Sequence, residues 1–337
     1  MIEEDVDAVI RGLERDSISF EDWRVLVTGG AGFLGSWICD VLVAQGAVVT
    51  CLDNFSSGLR SNIEHLLGRE NFTLVEHDIS RPIFFDERFE LVMHLASRAS
   101  PFEFERFPIQ ILKANTLGIW VALGIAKKHR ARFLYASTSE VYGNPPDEFI
   151  PTPESYNGNV NPVGPRSCYD EAKRAGEAFV MAYRLEHGLD TRIARIFNTY
   201  GPRMRAGDIY GRVVPRFIEQ ALKNKPITVF GDGSQTRSFT YVTDEVEGLL
   251  RLAGMDGIEG EVVNIGNNRE TTILELAELV RKLCGSSSEI AFLPLPKDDP
   301  RRRCPEIGKA KRLLGWEPRV QLEEGLRRTI EWFKAAI

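Results

Sequence analysis

The sequence predicts an α/β fold, a doubly wound parallel sheet followed by a smaller C-terminal substrate-binding domain. Three observations predict it. From Arg24 to about residue 196, short apolar runs alternate with helical stretches, the pattern of successive βαβ units. A glycine-rich turn, Gly29-Gly30-Ala31-Gly32-Phe33-Leu34-Gly35, joins the first apolar run to the first helical stretch. Beyond residue 196 Gly and Pro become frequent, the elements shorten and Arg clusters.

Residues 1–22 place Val6, Val9, Ile10 and Leu13 at helical spacing among acidic neighbours, which predicts a short amphipathic helix. It reads as a surface-docked extension of the fold. Val25–Val27 is the first strand, Phe33 to Gln45 the first helix of the repeat, and Val48–Leu52 the second strand. Later strands are expected at 72–75, 91–95, 133–136 and 191–194, with long helices around 109–129 and 170–187. The expected division is therefore an N-terminal extension at 1–22 and a cofactor-binding domain at 23–196, rejoined by part of 239–266. A substrate domain occupies mainly 197–337.

Composition narrows the class. The chain of 337 residues is 43% hydrophobic and 27% charged, which suits an ordinary globular protein. A formal charge of −6 argues against a nucleic-acid partner, because phosphate backbones reward Lys and Arg. No apolar run is read as approaching the ~20 residues of a membrane helix, so no membrane partner is expected. Five scattered cysteines, without CxxC spacing or metal-like clustering, predict free thiols, no metal site and a cytoplasmic location.

The glycine turn carries the first chemistry. It sits between a strand and a helix, the context a dinucleotide fingerprint requires. Gly29 permits the tight turn, Gly32 lets backbone approach a pyrophosphate, and Gly35 allows close helix–strand packing. Phe33 and Leu34 then present their backbone N–H groups at the helix N-terminus. Asp53 ends the second strand eighteen residues past Gly35. A carboxylate there accepts from ribose hydroxyls and repels a 2′-phosphate, so NAD is expected over NADP. Asn54 follows it; Asp78 and Ile79, after the third strand, are expected near the adenine. Leu95, Ala96 and Ser97, after the fourth, are expected along the cofactor. Together these are the marks of a Rossmann-type sheet.

Tyr169 and Lys173 lie four residues apart in Ser167-Cys168-Tyr169-Asp170-Glu171-Ala172-Lys173. Four residues apart on a helix is one face, so the Lys173 ammonium is expected to lower the Tyr169 pKa toward working pH. Upstream, Ser137-Thr138-Ser139-Glu140-Val141-Tyr142-Gly143 follows a predicted strand, where side chains face the ligand crevice of a doubly wound sheet.

These segments, with Ile196-Phe197-Asn198-Thr199-Tyr200-Gly201-Pro202-Arg203, resemble the extended short-chain dehydrogenase/reductase family that acts on nucleotide sugars. Within it the chain is similar to the UDP-glucuronate decarboxylases (UDP-xylose synthases) through 137–143, 164–174, 211–214 and 298–311. Nucleotide-sugar 4,6-dehydratases carry an Asp where this chain has Ser139, and hexose 4-epimerases a small or hydroxylated residue at Glu140. The resemblance implies bound NAD, a UDP-sugar substrate and a homodimer formed through the two long helices. It implies Tyr169, Lys173 and Thr138 for oxidation at sugar carbon 4. Glu140, Ser139 and Arg303 are implied for handling the carboxylate, and Asn198, Arg212, Arg237 and Arg303 for binding substrate. Tyr142 is expected to be structural.

The chain departs from the pattern at Phe104, where a tyrosine is common, and at Arg98, where a proline is usual. Arg98 is read either as a ligand of the substrate carboxylate or as an exposed loop arginine. A 4-epimerase of UDP-glucose or UDP-glucuronate is the second reading, and a 4,6-dehydratase ranks below it. A non-catalytic sensor has no use for the Thr138/Tyr169/Lys173 set.

Overall fold

The computed structural model describes residues 1–205, 212–295 and 300–336. Seven parallel strands form the central sheet: β1 (Arg24–Thr28), β2 (Val48–Asp53), β3 (Phe72–Glu76), β4 (Leu91–His94), β5 (Arg132–Thr138), β6 (Thr191–Ile196) and β7 (Val262–Ile265). Their spatial order is β7-β6-β5-β4-β1-β2-β3. Chain order reverses at β1, which lies between β2 and β4, and a crevice opens beyond the strand ends at such a switch point. The strands read as continuous apolar runs because helices cover both faces; Val25, Leu26 and Val27 are all fully buried.

The helices of this layer are α1 (Ile2–Glu14), α2 (Phe33–Ala44), α3 (Pro101–Arg106), α4 (Pro108–His129) and α5 (Ser167–His187). Gly188 ends α5 in the left-handed conformation at φ 64°, a geometry glycine adopts without a Cβ penalty. The C-terminal part adds α6 (Val213–Leu222), α7 (Val242–Gly254), α8 (Ile273–Cys284), α9 (Gly308–Leu314) and α10 (Leu322–Ala336), with three two-stranded ribbons. α8 begins with a reciprocal capping box between Thr272 and Glu275, worth roughly 0.5–2 kcal/mol.

Two expectations are corrected here. α1 is amphipathic but not merely surface-docked: Val9 and Leu13 are at most 1% exposed, each contributing about 1.5–3 kcal/mol by burial. Its buried Asp5 accepts a hydrogen bond from the Tyr241 hydroxyl at 2.7 Å and pairs with Arg328. The second concerns apolar length. α4, with 22 residues and a mean hydropathy of 1.4 over its most apolar window, is long and apolar enough to cross a bilayer. Half of that window is buried in the protein, through packing on α5 and the sheet. Core helices satisfy the same length and composition test.

Candidate active site

A cavity of about 1510 Å³ opens over the C-terminal ends of the strands and is lined by every site residue expected from the sequence. At its cofactor end, Gly29 has φ 74°, and a Cβ there would lie 2.8 Å from Ala96 backbone atoms. A Cβ on Gly35 would lie 2.1 Å from the Gly29 carbonyl oxygen, so glycine alone lets α2 start against β1. No side chain caps α2 and no acidic residue occupies its first turn, so its N–H groups and positive dipole end face the cavity. Asp53 accepts from Ala31 N–H at 3.0 Å and Phe55 N–H at 2.8 Å, so it braces the turn as well as lining the cavity. Burial pushes its carboxyl upward and these backbone bonds oppose the shift.

Asp78 accepts from the Ser80 hydroxyl at 2.8 Å, and Ser97 Oγ accepts from Asn115 Nδ2 at 2.9 Å. The buried side-chain oxygen of Asn198 has no protein partner on the wall of the same cavity. An uncapped helix start, a glycine cradle and polar groups at the strand ends fit a dinucleotide.

The Tyr169/Lys173 relation differs from expectation. Lys173 Nζ donates to the Ala136 carbonyl at 2.7 Å and lies 5.8 Å from the Tyr169 ring centroid. Burial lowers its pKa to about 7, against a smaller opposing effect of Glu177. Tyr169 moves upward, not downward: burial and then the Glu140 charge raise it, while a hydrogen bond with Thr138 and the charge of Arg212 pull it back. The physical reason is desolvation, which penalises phenolate and ammonium alike and here exceeds their attraction.

Beside the phenol, Glu140 lies in a one-turn 3₁₀ segment, Ser139–Tyr142. Arg303 grips its carboxylate with both terminal nitrogens, at 2.8 and 2.9 Å. Arg166 donates to the same carboxylate at 2.5 Å. Burial alone would raise the Glu140 pKa, but the guanidiniums of Arg166 and Arg303, with Arg237 behind them, leave it lowered. Arg166 carried no assignment in the sequence reading. Its signal was available as an (i, i+4) partner of Asp170, inside a segment already singled out. Ser139 is buried against this cluster, and Tyr142 donates to Asn264 Oδ1 at 2.7 Å in a structural role.

On the substrate side, Arg237 is buried and Arg212 exposed, its guanidinium 5.7 Å from the Phe33 ring centroid. Gly211 of the 211–214 segment, and Asp298 and Asp299 of the 298–311 segment, lie outside the described residues. Phe104 stacks on Tyr169, centroids 4.9 Å apart and planes at 16°, so an apolar ring backs the phenol where a hydroxyl is common. Arg98 is not an exposed loop arginine: it lines the cavity, pairs with buried Glu103 and lies 4.3 Å from the Phe107 ring centroid. Among the described residues no cluster of His, Cys, Asp and Glu forms a metal site.

Residues 25–266 match the NAD dependent epimerase/dehydratase family. UDP-glucuronic acid decarboxylase 1 of Danio rerio is 52% identical over 310 residues, covering 92% of this chain and 72% of the relative. UDP-glucuronic acid decarboxylase 6 of Arabidopsis thaliana is 48% identical over 93% of this chain and 89% of its own. Among solved structures, UDP-glucuronic acid 4-epimerase from Bacillus cereus, in complex with UDP-glucuronic acid and NAD, is 29% identical. It has a TM-score of 0.82 and covers 93% of this chain and 100% of that one. UDP-glucose 4-epimerase from Thermotoga maritima, with UDP-glucose, is 35% identical with a TM-score of 0.83, covering 93% and 99%. With the glycine turn, the Tyr169/Lys173 helix and the seven-stranded sheet in one framework, the chain belongs to the NAD-dependent epimerase/dehydratase family, the extended short-chain dehydrogenases/reductases.

Proposed function

We propose that the protein decarboxylates UDP-glucuronate to UDP-xylose through a UDP-4-keto sugar. The observation that carries this reading is the Glu140 carboxylate held between Arg303 and Arg166, in one cavity with Thr138, Tyr169 and Lys173. Oxidation at carbon 4 needs only the latter three. A separate carboxylate–guanidinium cluster suits a substrate that carries its own carboxylate.

When bound, NAD supplies a positively charged ring that takes and later returns the hydride of carbon 4. Tyr169 accepts the proton of the 4-hydroxyl, and Thr138 holds that oxygen as its charge changes. The carboxylate at carbon 6 then lies β to a ketone. Its C–C bond breaks as carbon dioxide leaves and the electron pair passes into the carbonyl. Arg303 orients the carboxylate. Glu140 shares the Arg303 charge, so the departing group is not held so firmly that its ground state is favoured over the transition state. Carbon 5 takes a proton, and Tyr169 returns its own to the oxygen at carbon 4. Asn198, Arg212 and Arg237 bind the diphosphate and uridine, guanidinium groups being suited to paired phosphate oxygens.

Incubation with UDP-glucuronate, followed by nuclear magnetic resonance, is expected to show UDP-xylose or its 4-keto precursor with release of carbon dioxide. UDP-galacturonate without carbon dioxide would establish the epimerase reading instead. That reading has the solved epimerases in its favour but leaves the Glu140–Arg303 pair without a task.

The exposed apolar residues Ile109, Leu112, Leu117 and Trp120 on α4, with Met181 and Leu185 on α5, support a homodimer through these helices. Trp120→Asp should halve the sedimenting mass; an unaltered mass rules this interface out. All five cysteines are free thiols, which supports a reducing, cytoplasmic setting. Cell fractionation that recovers the protein within a secretory compartment would exclude it.

A further inference from the structure

Replacing a carboxylate by hydrogen consumes one proton beyond those exchanged at carbon 4. Tyr169 returns its proton to the oxygen it came from, so the proton for carbon 5 enters by another route. Behind Glu140 lies a second cavity of about 250 Å³, lined by Glu140, Arg166, Asp170, Asn144, Asn159 and Asn161. Glu140 and Arg166 also line the main cavity, so the two spaces meet at this ion pair. Asp170 is 6% exposed. Its Oδ2 lies 3.6 Å from Arg166 Nε, whereas its buried Oδ1 has no hydrogen-bond partner. At ~30 Å³ of liquid volume per molecule, the second cavity has room for several waters.

We propose that Asp170 stores the proton consumed by decarboxylation and passes it, through water in the second cavity, to the Glu140 side of the active site. This rests on the decarboxylase reading above. The step balances: Asp170 as the acid gives one proton, carbon 5 gains it, and Asp170 is reprotonated from solvent. Asp170 acts through Glu140 and does not touch the sugar, so it is a positioning residue for the proton.

The surroundings divide the two carboxyls. Burial, then the charges of Glu140 and Glu171, raise Asp170 to about 7, against Arg166 and Arg303; Cys168 and Tyr169 beside it on α5 are neutral thiol and phenol. Glu140 is held low by the same two guanidiniums. Carboxyls whose affinities are pushed apart in this way can take different acid–base roles. The acid form of Asp170 is present below pH about 7 and lost above it.

The experiment compares unaltered enzyme, Asp170→Asn and Asp170→Glu in single turnovers with UDP-glucuronate, following the rise and decay of reduced-cofactor absorbance and carbon dioxide separately. The decay reports hydride return to carbon 4, which waits on protonation of carbon 5. Asp170→Asn should leave the absorbance rise and carbon dioxide release within about threefold and slow the decay by ~10²-fold, the scale of a lost acid–base group. Asp170→Glu should recover most of the decay. In the unaltered enzyme the decay should slow as pH rises through about 7, and in Asp170→Asn it should be flat. An unchanged decay in Asp170→Asn, or equal loss of rise and decay, overturns the proposal. If Asp170→Asn does not fold, a flat decay profile across neutral pH in the unaltered enzyme overturns it equally. An unaltered enzyme that releases no carbon dioxide removes the decarboxylase reading itself, a distinct result.

Discussion

Tyr169 is buried against Phe104, hydrogen-bonded with Thr138, and raised in pKa by burial and by Glu140. It is therefore a protonated phenol in the free protein, and it must shed that proton before it can take one from a sugar hydroxyl. Glu140 is the opposite case, a carboxylate kept ionised by two guanidiniums. The two residues should thus separate by step. Tyr169→Phe should lower both transient reduced-cofactor absorbance and carbon dioxide release by ~10²–10⁴-fold. Glu140→Gln should preserve the absorbance change and lower carbon dioxide release by about 10²-fold. Stopped-flow absorbance and carbon dioxide trapping on the same samples check both; parallel losses in Glu140→Gln would show that Glu140 serves oxidation. Gln is chosen over Ala because it keeps the side-chain shape and one acceptor oxygen for the buried guanidiniums, whose donors Ala would leave unmet.

At the scale of elements, the junction of β1 and α2 is the turn whose geometry fits a dinucleotide. Its spacing is set by backbone contact: the Gly35 position leaves no room for a side chain against the Gly29 carbonyl. Gly35→Ala should displace the start of α2 and weaken NAD binding by roughly tenfold or more, equivalent to at least ~1.4 kcal/mol. UDP binding, proposed for the Arg237 end of the cavity, should change far less. Calorimetric titration with each ligand measures this, and equal weakening of both would mean that the substitution acts globally.

Across the whole molecule, α7 joins the sheet to the C-terminal part, and nearly all of it is buried. It carries Glu245, fully buried, accepting from Thr199 Oγ1 at 3.1 Å with its other oxygen unpartnered. Burial pushes its carboxyl well above the ordinary range, with Asp244 adding to the shift. The folded state then holds a proton that the unfolded chain releases above pH ~4.5. Stability contributed by this group is complete below that pH and declines as pH rises toward the folded pKa. Glu245→Gln keeps the shape without the titration. Its melting temperature should equal that of the unaltered protein near pH 4 and exceed it at pH 8. A difference that shrinks with rising pH would show that Glu245 is ionised in the folded state.

The alternation of strands and helices, the glycine turn, Asp53 and the Tyr169/Lys173 spacing were all legible along the chain, because each depends on neighbours within one or two elements. Local periodicity and backbone freedom determine such features wherever the chain goes. Glu140 and Arg303 stand 163 positions apart in the chain, and only the closure of the C-terminal part over the sheet brings them together. Arg166, the orphan oxygen of Asp170 and the Arg98–Glu103 pair were hidden for the same reason, since a charge's partner is chosen by packing. The direction of the Tyr169 shift was misread because helical spacing reports proximity to Lys173 but not burial. By itself the sequence determined the sheet, the glycine turn and the residues that line the crevice at the strand ends. The tertiary structure decided which of them are charged, because desolvation depends on every element packed around a group and not on the few residues beside it in the chain.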